Sequence, residues 1–78
     1  MNQRKPIEYA RHARLRMLER GYVGQMVEDA LFDRDDEYAG NIPGSLVAVK
    51  SLSQVTLHVC YLESEAHYLI CSVFEDRS

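Results

Sequence analysis

Val55-Thr56-Leu57-His58-Val59-Cys60-Tyr61-Leu62 decides the fold. Val55, Leu57, Val59 and Tyr61 point one way and Thr56, His58 and Cys60 the other, the two-residue period of a half-buried strand. Upstream, Leu46 to Lys50 reads as a neighbouring strand, joined through Ser51 to Gln54. Downstream, Glu63 to Ala66 reads as a turn and His67 to Phe74 as a third strand, with Tyr68, Ile70 and Phe74 on the apolar face of the second. The expected register pairs Leu62 with His67, Cys60 with Leu69 and His58 with Cys71.

Before Gly44 the period is that of a helix. Pro6 opens a pattern running from Glu8 to Arg20, with Tyr9, Ala10, Ala13 and Met17 on one face, and Gly21 follows as a left-handed terminator. Val23, Met26, Val27, Ala30 and Leu31 give the next helix, from Gln25 to Phe32. Asp33 to Gly44 is acidic and then turn-rich, with one short strand near Tyr38. The expectation is a single α+β domain over residues 1–78: two helices packed on one face of a three- to four-stranded antiparallel β-meander. Met17, Val27, Leu31, Leu57, Val59 and Ile70 are the expected core.

At 46% hydrophobic and 27% charged over 78 residues, the chain has the composition of a small globular domain, which excludes the disordered and collagenous classes. No apolar run approaches the roughly 20 residues of a membrane span. Met1 to Lys5 lead into a charged pattern, which argues against a secretory signal, so Cys60 and Cys71 read as cytosolic thiols in a cytoplasmic protein. The charge is uneven. Residues 1–20 carry six basic and two acidic side chains, a net +4, and residues 21–78 carry three against ten, a net −7.

His12, Arg16 and Arg20 recur every four residues, within about 80° of one helix face. Two guanidiniums and an imidazole so aligned match a phosphate. The competing reading has the arginines pairing with carboxylates of the second helix or the acidic loop. His58, on the sheet face without helices, has the chemistry of a general base, with Lys50 on the neighbouring strand as a second phosphate contact; otherwise it is a polar residue on a solvated face. His58, Cys60 and Cys71 form a conceivable three-ligand cluster, but no C-x-x-C occurs and no metal or other cofactor is expected. Register and compartment argue against a Cys60–Cys71 disulfide. No glycine-rich phosphate loop or serine nucleophile motif is present in the sequence.

The run His12-Ala13-Arg14-Leu15-Arg16-Met17-Leu18-Glu19-Arg20-Gly21 resembles the H-A-x-x-R-x-x-E-R-G signature of a small bacterial family, domain of unknown function 4258. Leu57 to Tyr61 and Leu69 to Phe74 are similar to that family's last two strands. Ala10 stands where the family has a helix-capping threonine, and Ser72 and Phe74 replace its threonine and tyrosine. The resemblance implies a compact helix–sheet domain with the look of RelE/BrnT-like toxins that cleave RNA. Two functions follow as expectations. One is a toxin-like endoribonuclease or RNA-binding protein using the basic helix, with a cognate antitoxin-like partner. The other is a non-catalytic module that binds a partner protein, or a second copy of itself, through the sheet edge and the side of the meander bearing Leu62, Leu69 and Val73.

Overall fold

The computed structural model describes residues 5–53 and 55–76; Arg4 and Arg77 of the charge tally and Gln54 of the expected connection lie outside them. In chain order the elements are β1 (Ile7–Tyr9), α1 (Arg11–Arg20), α2 (Gly24–Phe32), β2 (Asp36–Ala39), β3 (Leu46–Ser51), β4 (Thr56–Glu63) and β5 (Tyr68–Asp76). The five strands form one sheet in the order β1-β5-β4-β3-β2. Strands β2 to β5 are antiparallel neighbours, and β1 runs parallel to β5 along one edge.

The α+β class and the helix pair on one sheet face are as expected; the strand count and the purely antiparallel pairing are not. The difference lies at the start. Ile7 to Tyr9 is a strand, where the helical pattern was expected to begin at Glu8. Tyr68 N–H donates to the Pro6 carbonyl and Ala10 N–H to that of Ile70, so β5 fixes the extended state from both ends. The chain then crosses from one sheet edge to the other through α1 and α2, which cover the face between. Ala10 caps α1 with extended backbone (φ −64°, ψ 154°) but no side-chain hydrogen bond. Gly21 ends it at φ 76°, donating to the Met17 carbonyl, a conformation cheap for glycine alone.

The core is a single layer. Leu57, Val59 and Tyr61 of β4, Ile70 and Val73 of β5 and Ala48 of β3 pack against Ala13 of α1 and Val27, Ala30 and Leu31 of α2. Of the expected core, only Met17 is half-buried. The β4–β5 register also differs from expectation. Leu62 faces Leu69 and Tyr61 faces Ile70; a bulge follows, after which Cys60 faces Ser72 and His58 faces Phe74. Ile70 and Val73 both lie in the core, three positions apart, so Cys71 and Ser72 both turn away from it. The bulge therefore moves Phe74 off the apolar face expected for it and onto the open face of the sheet. It also separates Val73, buried in the core, from Leu62 and Leu69, so the partner surface expected from those three residues does not form as one patch.

Candidate functional site

Antiparallel register assembles the open face. Tyr38 of β2 faces Val47, Val49 of β3 faces His58, and His58 of β4 faces Phe74. His58 is not a solvated surface residue: it is 8% exposed. Its Nε2 lies 2.9 Å from Asp76 Oδ2 and its Nδ1 3.0 Å from the Tyr38 hydroxyl. Its ring stacks on Phe74 at 4.8 Å and 11°, and Tyr38 meets it edge-on. A carboxylate only accepts, so Asp76 draws the imidazole proton to Nε2 and leaves Nδ1 to accept the Tyr38 O–H. The Tyr38 hydroxyl is raised above the ordinary tyrosine range by burial, by the charge of Asp76 and by Cys60, and stays protonated. This is an Asp–His–Tyr chain with its phenol end at a cavity of about 230 Å³, walled by Tyr38, Val47, Cys60, Ser72, Phe74 and the loop over residues 39–42.

A second cavity, about 220 Å³, adjoins it at the sheet edge. Strand β1 pairs only with Tyr68 to Ile70 of β5, so the rest of that edge carries no fifth strand. Arg16 and Arg20 of α1 line the opening there with Tyr22, Glu75 and Phe74. Tyr22 donates its hydroxyl to Glu75. Burial, then the Glu75 hydrogen bond and charge, push the Tyr22 pKa up to about 12 against the opposing effect of Arg20 and Arg16. Phe74 belongs to both cavities.

The expected site residues divide accordingly. Arg16 and Arg20 meet in one cavity; His12 is exposed and is not part of its wall. Neither arginine pairs with the second helix or the acidic loop among the described residues: Arg16 Nε lies 3.7 Å from Glu19 on its own helix. Lys50 faces Leu57 on the helix side of the sheet, opposite to His58, with Nζ 3.0 Å from Asp33 and 3.7 Å from Asp35. Strand alternation thus removes Lys50 from the His58 site, since neighbours at opposite phases of the pleat cannot share a face. Arg34 takes the loop's remaining ion pair, at 2.6 Å to Glu37, while donating to the Leu31 carbonyl and the Tyr61 hydroxyl. No three-ligand metal cluster occurs among the described residues.

Neither Tyr38, which the sequence marks only as a short strand, nor Asp76 stands out as a site residue in the sequence, 20 and 18 residues from His58. The available signal was an aromatic residue in an otherwise acidic strand. No family model, curated protein or solved structure matches the chain.

Proposed function

We propose that the protein acts on RNA, holding a phosphate of a single-stranded segment at Arg16 and Arg20 and cleaving the chain at Tyr38. The observation that carries this reading is Phe74, the shared wall that brings the arginine cavity and the Tyr38–His58–Asp76 chain side by side. Guanidinium forks suit phosphate oxygens, and an exposed aromatic face suits an unstacked base. Tyr38 already directs its proton at His58 Nδ1, so its oxygen is placed to accept one. It takes the proton of an attacking 2′-hydroxyl as its own passes to the imidazole, and Asp76 balances the imidazolium formed; the 2′-oxygen bonds to phosphorus as the P–O5′ bond breaks, and the 5′-oxygen leaves with a proton from solvent water. The phosphate charge that builds in the transition state falls to the arginines. The likeness to domain of unknown function 4258, and through it to RNA-cleaving toxins, supports the same reading.

Binding of a labelled single-stranded RNA by fluorescence anisotropy, with cleavage followed on gels, separates the parts. Arg16→Gln with Arg20→Gln should weaken binding and flatten its salt dependence by about 0.7 in the log–log slope, the value for one phosphate neutralised on a single strand. Tyr38→Phe should bind as wild type and cleave far more slowly. A wild-type protein without RNA affinity at low salt refutes the proposal. A protein partner is the reading favoured by a different observation, the 50% and 81% exposure of Leu15 and Leu18 on the outer face of α1. Light scattering showing a stable dimer abolished by Leu18→Lys would support it.

A further inference from the structure

The bulge in β5 places the protein's two cysteines together on the open face. Cys71 and Ser72 both turn away from the core between Ile70 and Val73, and Cys60 on β4 faces Ser72 across the ladder. Residues opposed across antiparallel strands have Cα atoms about 4.5–5.5 Å apart, within the span a disulfide bridges, and at a bulge both residues oppose the same partner. Both thiols are free. Their surroundings differ. Cys60 is 6% exposed beneath the loop of residues 39–42, where a Cβ built on Gly40 would lie 3.2 Å from its sulfur. Cys71 is half-buried, its thiol turned to the Leu69 carbonyl at 3.7 Å.

We propose that Cys60 and Cys71 are a thiol pair that closes to an intramolecular disulfide by exchange with a small-molecule disulfide. The more accessible Cys71 attacks first, as thiolate, on one sulfur of the reagent, breaking its S–S bond and releasing one thiol. Cys60, as thiolate, then attacks Cys71 in the mixed disulfide and releases the second. Two protein thiols and one small disulfide become one protein disulfide and two small thiols, so electrons and protons balance. Burial, and the adjoining Cys60 thiol, raise Cys71 above the ordinary thiol range, so exchange is slow at neutral pH and accelerates in alkali. The bond would pin the bulge that directs Ser72 and Phe74 to the open face, and would reshape the cavity wall that Cys60 forms beside Tyr38.

Incubation of the reduced protein with oxidised glutathione, read by intact mass and by thiol titration, tests this independently of any RNA activity. The expected product is a monomer that has lost both free thiols and the mass of two hydrogens, regains both on reduction, and melts a few degrees higher than the reduced form. Cys60→Ser should instead stop at one glutathione adduct, carried on Cys71. A wild-type protein that keeps both thiols after prolonged alkaline incubation, retains a stable glutathione adduct, or forms covalent dimers in place of the internal bond overturns the proposal.

Discussion

Leu57→Ala and Phe74→Ala, taken as a pair, test the bulge and hence the placement of the site. Leu57 is fully buried beneath the helices, whereas Phe74 is 37% exposed on the other face. Truncating Leu57 removes three buried carbon groups, about 2.4 kcal/mol of transfer free energy. The cavity left in the sheet interior adds about 1 kcal/mol where it cannot collapse, for a total of about 3–4 kcal/mol. A domain of this length has about 4–12 kcal/mol in all, so Leu57→Val serves as a milder companion. Phe74→Ala loses partial burial and the His58 stack, about 1–2 kcal/mol together. Without the bulge, Phe74 would share the core face with Leu57 and its truncation would cost about 3–5 kcal/mol. Urea melts followed by circular dichroism read both values from midpoints at constant slope. Equal costs, or a larger one for Phe74, would refute the register after Tyr61.

Ala10→Ser should stabilise the protein by about 1 kcal/mol, because Ala10 already has capping backbone and lacks only the side-chain acceptor; a rise in Tm of roughly 4–8 °C would register it, and an unchanged Tm would mean the first-turn N–H groups already have partners. Tyr22 predicts a loss of stability in alkali. Its pKa is about 12 in the folded state and 10 when unperturbed, so its contribution is complete below about pH 10 and fades as pH rises through about 12. Two units set an upper bound of about 2.7 kcal/mol, which screening at the cavity mouth reduces to about 1. The stability gap between wild type and Tyr22→Phe should therefore narrow over that window, and a gap independent of pH would contradict the Tyr22–Glu75 hydrogen bond.

Much of the scaffold is legible because local and tertiary preferences agree. The alternation of β4 and the 3.6-residue stripe of α2 each fit a single packed face, and Gly21 takes the one backbone region that favours glycine. The remainder depends on contacts distant in sequence. Ile7-Glu8-Tyr9 carries too few residues to signal a strand, and its extended state comes from bonds to β5 some 60 positions away. The bulge has no local mark, since Cys71-Ser72 contains neither glycine nor proline. One inserted residue is enough to invert the faces beyond it, taking Phe74 from the core face to the open face; that residue and a two-residue shift at the turn, where Leu62 faces Leu69 and not His67, together bring His58 opposite Phe74 instead of Cys71. Lys50 shows the reverse case: its strand was placed correctly, but its phase puts it on the other face from His58.

The acidic balance of the chain and the anion site proposed on α1 are compatible because the charges are spatially sorted. Much of the acidic excess lies in residues 33–37, where Asp33 and Asp35 hold Lys50, Glu37 holds Arg34, and Asp36 accepts the backbone N–H of Glu37. These contacts use two of the three basic residues beyond position 20 to join α2, β2 and β3. The basic residues of α1 stay on the helix surface, and Arg20 lies in its last turn, where the helix dipole favours a cation. Exposed charges separated by more than about 8 Å are largely screened at physiological salt. On the proposed reading an arriving phosphate responds chiefly to Arg16, Arg20 and the carboxylate in their cavity, Glu75, which accepts the Tyr22 hydroxyl. Net charge describes the whole surface, whereas the local field at the edge of β5 is set by the three-residue length of β1, which leaves that edge open beside α1.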